Sequence, residues 1–468
     1  MTSPSENRSF RTFIVIWSGQ LVSTLGSGLT GFALGVWIYQ ETGSTTLFAM
    51  NMLAFAIPTL LMSPIAGALV DRYDRRWMMI LSDTGAGLST LAIALLLITD
   101  NLQIWHIFIA TAVNAAFSTF QWPAYSAVTS LLVPREQLGR AGGMVQIGQA
   151  VSQLLAPAAA GALLVTIGLG GVILVDFATF AFAVISLLLV RVPKPAATEA
   201  GKASRGTIWQ EAAFGWKYIV ARPGLLGLLL VFAVFNLLTG MTGPLITPLI
   251  LDMTSADVLG LLASIIGVGM LLGTLVMSAW GGPRRKIHGV LGFLMLSGGF
   301  TMLVGVTPQL VVMAIAGFGM MFVMPIINGS SQAIWQSKVD ADLQGRVFSV
   351  RRMIAWSMTP VAYALAGPLN DQVFKPLLVE GGALADSIVG QLIGVGPSRG
   401  TGLLFIVLGF LSVLAAASGY LNPRVRNVET ELPDAELKTV EDAQVELADR
   451  EGEPQPPTPA EAISSIAD

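Results

Sequence analysis

Long apolar runs alternate with short polar breaks along this chain, and that alternation predicts its elements. A helix needs roughly 20 apolar residues to cross about 30 Å of hydrocarbon. Twelve stretches reach that length, near residues 11–39, 45–70, 77–98, 104–133, 141–166, 171–190, 223–250, 258–280, 288–306, 309–337, 347–369 and 401–421. Each must be a helix, because a lone strand in lipid leaves its backbone N–H and C=O groups unpaired. The pattern predicts an all-α integral membrane protein of twelve transmembrane helices in two pseudo-symmetric six-helix bundles, residues 1–190 and 223–422. The polar connection 191–222 separates them, and is read as a cytoplasmic linker. Within it, Ile208, Ala212, Trp216 and Ile219 share one helical face, which predicts an amphipathic helix on the membrane surface. The first apolar run is too long for a cleaved signal peptide and is expected to stay as the first span.

Composition agrees. Hydrophobic residues are 53% of the 468 and charged residues 12%, against about 25% charged in an ordinary soluble domain. The formal net charge of −3 hides a segregation, since acids crowd the last forty-odd residues. Segment 423–468, acidic and proline-containing, is too polar to bury a core and is expected to be a disordered cytoplasmic tail. There is no cysteine and there are two histidines, which leaves no thiolate or histidine-rich metal centre. No cofactor is expected.

The basic residues orient the chain. With the first polar segment placed in the cytoplasm, 24 of the 26 Lys and Arg residues are cytoplasmic, and the other two are Lys375 and Arg399. Shifting by one span reverses the asymmetry, against the positive-inside rule. Both termini are therefore expected in the cytoplasm and residues 371–399 outside. The chain also repeats itself. Gly139-Arg140 and Gly345-Arg346 follow the fourth and tenth spans at an offset of 206, which also brings Ala127 onto Ala333 and Gly161 onto Gly367.

The densest motif is 67–76, Gly-Ala-Leu-Val-Asp-Arg-Tyr-Asp-Arg-Arg, with five charged residues between two spans. This Gly-x-x-x-Asp-Arg-x-x-Arg-Arg turn resembles the loop signature of the major facilitator superfamily of secondary transporters. Asp74 stands where a glycine is usual, which is more like the branch of drug and secondary-metabolite exporters that includes macrolide-efflux and siderophore-export proteins. The resemblance spans nearly the whole chain apart from the acidic tail. It implies a parallel two-half repeat with ligand sites at the interface. It also implies a cytoplasmic gate in which Asp71 meets the N-terminus of the eleventh helix, the positive end of a helix dipole. Gly67, Asp71, Arg72, Arg75, Arg76, Gly345, Arg346, Arg351 and Arg352 are the gating candidates. Simple loop capping and positive-inside anchoring compete with that role, and Arg351 and Arg352 also suit snorkelling to the interface or an anionic headgroup.

Polar residues at membrane depth are costly unless they face another helix or water. Gln20 and Thr24 form one such stripe, Asn114 and Gln121 another, and Gln146, Gln149 and Gln153 a third. Asn236 on the seventh span, and Asn328, Gln332 and Gln336 on the tenth, complete the set. The resemblance implies that spans one, four, seven and ten line a central cavity; interhelical hydrogen bonding is the plainer alternative. Asp83 and Asp176 are the intramembrane carboxylates, hence the proton-coupling candidates. Asp83 has a structural alternative, a pairing with Arg75 or Arg76. Pro123, Pro157, Pro244, Pro248, Pro325 and Pro360 lie within spans and predict bent helices. The stretch 148–161 around Ala156-Pro157 resembles the glycine/proline signature of family antiporters, with Ala156 in place of a glycine.

No phosphate-cradling glycine loop, nucleophile–base pair or metal-ligand cluster stands out, so the chain is read as no enzyme. The basic loops follow membrane orientation and imply no nucleic acid. The sequence points to a secondary active exporter of hydrophobic or amphipathic small molecules, exchanging them for protons by alternating access as a monomer in the cell membrane. Its partners are a small-molecule substrate, the lipid bilayer and protons. Two alternatives stand: a lipid or lysophospholipid flippase of the same fold, and a non-transporting scaffold or sensor acting through the tail.

Overall fold

The computed structural model describes residues 4–133, 137–190, 208–340 and 343–434. Every regular element among them is helical. In order these are α1 (Pro4–Thr42), α2 (Thr45–Arg72), α3 (Arg75–Ile98), α4 (Ile104–Ser118), α5 (Gln121–Leu132) and α6 (Leu138–Leu189). There follow α7 (Ile208–Val220), α8 (Pro223–Leu251), α9 (Ala256–Trp280), α10 (Lys286–Val306), α11 (Leu310–Lys338), α12 (Gln344–Pro368) and α13 (Arg399–Leu421). Nine helices among the described residues are long and apolar enough to cross a membrane.

Local chemistry sets the boundaries. The Ser44 hydroxyl accepts the Leu47 N–H and opens α2. Asp74 opens α3 by accepting the Arg76 N–H at 3.0 Å, so the acid that replaces the usual glycine is the N-cap of the next helix. Arg76 then reaches the far end of α6, donating to Leu187 O at 2.8 Å and Leu188 O at 2.9 Å. A cation on the last carbonyls of a helix relieves unpaired acceptors and suits the dipole.

α6 is continuous in assignment but not in direction. Gly168 within it has φ 68° and ψ −179°, a conformation essentially confined to glycine. On one side of Gly168, Gly148 packs beside Trp17 and Leu21 of α1; on the other, Ser186 packs against Gly19 at the same level. Ala156 against Gly28 and Thr179 against Gly26 repeat the match further along. Both arms meet α1 at equal heights, so the chain doubles back at Gly168. The fourth apolar run is interrupted too: α4 ends at Ser118 and α5 begins at Gln121, with Pro123 in its first turn.

In lipid, helices associate by close packing of small residues. Gly298 and Gly305 of α10 lie against Gly409 and Gly402 of α13, glycine on glycine. Apolar clusters occupy both ends of each part. Before residue 190, one is built on Phe13, Ile16, Met79 and Val128, the other on Leu29, Ile38, Ile107 and Ile173. After residue 208, one gathers around Leu225, Trp335 and Val347, and the other around Leu245, Met320 and Phe405.

The two parts touch through pseudo-equivalent residues. Gly161 of α6 packs on the backbone of Ala256, where α9 begins, and Gly367 of α12 packs on the backbone of Thr46, where α2 begins. The offset of 206 thus relates two glycines doing the same job. Around them, Asp371 accepts from Thr46 N at 2.7 Å, Thr46 Oγ1 at 2.8 Å and Ser44 Oγ at 3.1 Å. Tyr39 donates to Asp252 at 2.6 Å and accepts from Lys375 at 3.2 Å. These bonds gather at the end opposite the basic turns.

Two expectations change. Residues 423–434, placed at the head of a disordered tail, form short helices Pro423–Arg426 and Val428–Glu431 docked on the C-terminal part. The Glu429 carboxylate accepts from Lys286 N and Ile287 N at 3.0 and 2.9 Å, capping α10. Buried Lys338 holds Glu429 O, Leu432 O and Asp434 at 2.6–2.7 Å. The remainder, 435–468, lies outside the described residues. α7 forms where the amphipathic pattern predicts it, but buries Gly215, Tyr218 and Ile219, with Gly215 against Arg346 of α12; Trp216 stays exposed. Linker residues 191–207 are outside the described set.

Candidate functional site

Between its two apolar clusters the N-terminal part holds a cavity of about 830 Å³, lined by α1 to α6 and by Tyr363 of α12. Its polar wall comes from spans that carry their polar residues at helical spacing, so each stripe turns to one side. Gln20, Thr24, Asn114, Gln121, Gln149 and Gln153 line it, as do Asp83 and Asp176. Asp83 and Asp176 are its charged residues, and both are buried.

Asp83 is held by a relay of amides. Gln20 Nε2 donates to Asp83 Oδ2 at 3.0 Å, and Gln121 Nε2 donates to Gln20 Oε1 in close contact. Three helices, α1, α3 and α5, are joined through one carboxylate. That arrangement replaces the pairing of Asp83 with Arg75 or Arg76: Arg76 is engaged on the α6 carbonyls instead. Asp176 sits against Gly26 of α1, with Thr30 and Thr90 as polar neighbours. Gln121 Oε1 and Ser152 Oγ, both on the cavity wall, are buried without a hydrogen-bond partner. Buried polar atoms are ordinarily paired, so the wall offers acceptors to an incoming group.

A second, smaller cavity of about 310 Å³ lies in the C-terminal part and takes Asn236, Asn328 and Gln332 together with Arg351 and Arg352. Gln146 and Gln336 face neither cavity and are exposed. Helical spacing put them on the right face but about one turn too far along.

The described gate candidates lie at helix ends and within α12. Arg75 starts α3; Arg346 lies at the head of α12 with its guanidinium carbon 5.6 Å from the Phe214 ring centroid. The side chains of Gly67, Asp71, Arg72 and Gly345 lie outside the described residues. The sequence reading missed Thr30, Ser82, Ser89, Thr90 and Tyr363 of the cavity wall. It also missed the Tyr39–Asp252–Lys375–Asp371 network at the opposite end. The i,i+4 spacing of Asp371 and Lys375, whose charged atoms lie 3.8 Å apart, was the available signal.

A polar, carboxylate-bearing cavity inside a bundle of long apolar helices, with pseudo-repeated packing between two parts, defines a membrane transporter. The sequence profile of the Major Facilitator Superfamily matches residues 16–363, and the chain belongs to that superfamily. It is 27% identical to macrolide efflux protein A of Streptococcus pyogenes over 369 residues, covering 77% of this chain and 90% of the relative. The multidrug efflux pump Tap of Mycolicibacterium fortuitum is 26% identical over 377 residues, 76% of this chain and 89% of the pump. The enterobactin exporter EntS of Shigella boydii is 24% identical over 416 residues, 86% and 91% of the two chains. Among solved structures, a bacterial homologue of the human lysosomal transporter Spinster, inward-facing and unoccupied, superposes with a TM-score of 0.67 at 14% identity. It covers 91% of this chain and 98% of its own.

Proposed function

We propose that this transporter is a secondary active exporter of hydrophobic or amphipathic small molecules, working as a monomer by alternating access and exchanging its cargo for protons. The nine long apolar helices become twelve crossings on three readings of the fold. α6 counts as two arms about Gly168, α4 and α5 count as one interrupted crossing, and α12 is admitted despite its arginines. Twelve crossings would form two bundles of six with both termini on one side, and the basic turns favour the cytoplasm as that side. Contact between the parts at the end away from the basic turns supports a cavity that opens toward the cytosol.

The observation that carries the reading is the Gln121–Gln20–Asp83 relay inside the large cavity. A carboxylate held by neutral amides, with no cation beside it among the described residues, suits a group that gains and loses a proton as cargo leaves and enters. Its volume falls within the roughly 300–1,000 Å³ of small-molecule sites. The relatives' names, macrolide efflux, multidrug efflux and enterobactin export, agree with outward movement of small molecules. Cells expressing the chain should accumulate less of a lipophilic dye than control cells, and a protonophore should erase the difference. Equal accumulation with and without the chain would remove the export reading; an export insensitive to the protonophore would remove its proton coupling.

A further inference from the structure

The small cavity of the C-terminal part has a charge that the Gln121–Gln20–Asp83 relay of the larger cavity does not use. Its charged lining residues are both cations, Arg351 and Arg352. Arg351 is fixed in place. Its Nη1 donates to Gln332 Oε1 and its Nη2 to Ser331 Oγ, each at 3.0 Å, and its guanidinium carbon lies 5.0 Å from the Trp335 ring centroid. These partners are neutral, and among the described residues neither arginine is in an ion pair.

A cation at this depth ordinarily meets an opposite charge or extends toward the interface. Arg351 instead turns onto α11, two turns inside α12, and two of its five N–H donors are spent on orienting it. The walls supply the rest. Trp335 is buried, Phe232 and Phe348 stand beside it, and Trp356 is 67% exposed, so the aromatic surface runs from the arginines out of the cavity. A guanidinium fork matches phosphate and carboxylate oxygens in pairs, while flat aromatic walls suit a hydrocarbon chain.

We infer that this cavity binds an anionic amphiphile, with a phosphate or carboxylate head on Arg351 and Arg352 and its apolar body along Trp335 and Trp356. The site goes beyond the export reading, and its occupancy is measured without transport, so either can fail alone. The full chain in phosphatidylcholine nanodiscs is titrated with dodecyl phosphate while tryptophan fluorescence is followed, with dodecyltrimethylammonium as the cationic counterpart. Dodecyl phosphate should saturate, and bind about tenfold or more weakly to Arg351→Gln/Arg352→Gln, since losing charge-assisted bonds costs at least that factor. The cationic amphiphile should show no such difference. Gln332→Leu keeps both arginines but frees Arg351, and should weaken dodecyl phosphate less than the double variant does. Replacing part of the phosphatidylcholine by phosphatidylglycerol identifies the source. Competition in the wild type but not in the double variant assigns the site to an anionic bilayer lipid, and no competition assigns it to a freely diffusing amphiphile. Equal affinity for dodecyl phosphate in the wild type and both variants would overturn the site.

Discussion

The two cavities sit in related parts of one fold and carry opposite charge. The N-terminal one is large and acidic, with Asp83 and Asp176 among amides and hydroxyls. The C-terminal one is small, basic and aromatic, with Arg351 and Arg352 beside Trp335 and Trp356. At the offset of 206, Arg351 and Arg352 fall on Val145 and Gln146, and Asp83 falls on Gly289. The glycines that seat one part on the other, Gly161 and Gly367, are kept. The repeat therefore preserves where backbones must touch and lets the charge of each cavity diverge. That is what packing in lipid demands, since a methyl at either glycine meets backbone, whereas a side chain facing a gap meets water or ligand.

Removing the charge that defines the larger cavity should separate the two parts most. Asp83→Asn keeps the Gln20 contact in size but loses the ionisable group, and dye export should fall about tenfold or more. The same dye-flux assay should show a smaller loss for Gln149→Ala, which sits on the wall outside the relay. If Asp83→Asn lowers the melting temperature yet exports normally, the relay is a structural link among α1, α3 and α5 and nothing more.

A second test concerns the turns at the far end of each part. The N-terminal part turns on one residue, Gly168, where Gly168→Ala should cost about 1–3 kcal/mol through its unfavourable backbone conformation. Thermal unfolding in detergent reads this directly. The C-terminal part turns through 371–399, with a π-helical turn at Leu369–Phe374 and a short helix at Ile388–Ile393, and single substitutions there should cost less.

The smallest effect is expected at the contact between the parts. Asp371→Ala removes three hydrogen bonds to Ser44 and Thr46, and should raise outer-face labelling of a reporter cysteine at least about threefold, the scale of the weakest of them. Burial raises the Asp371 carboxyl, but the Thr46 N–H and hydroxyl, Lys375 and Ser44 outweigh it, leaving its pKa below the usual carboxylate value. A depressed pKa means the contact is fully present above the ordinary carboxylate range and is lost only as pH falls through the lowered value. Outer-face labelling should thus stay flat from neutral pH down to about pH 4 and rise below it.

Much of this was readable from the residues. Thr45, Pro223 and Leu310 begin helices where the apolar runs begin, because lipid penalises an unpaired backbone more than any local preference can offset. Gln20, Asn114, Gln121 and Asn328 reach cavities because helical spacing fixes a face. Spacing does not fix depth, which is why Gln146 and Gln336 share those faces and reach neither cavity. Nor does it reveal partners distant in the chain. Asp371 meets Thr46 and Lys338 meets Asp434 through tertiary packing alone, and the acidic character of 423–434 concealed a segment that caps α10 and holds a buried lysine.

Alternating access requires the large cavity to open to one side of the membrane at a time. The chain has no cysteine, so Ser118→Cys puts one reporter on the cavity wall without altering its size much. A membrane-impermeant maleimide should label it from the cytosolic side in everted vesicles, and from the outer side of intact cells only when a proton gradient and export substrate are supplied. Labelling confined to one side under every condition, or absent from both, would contradict the account.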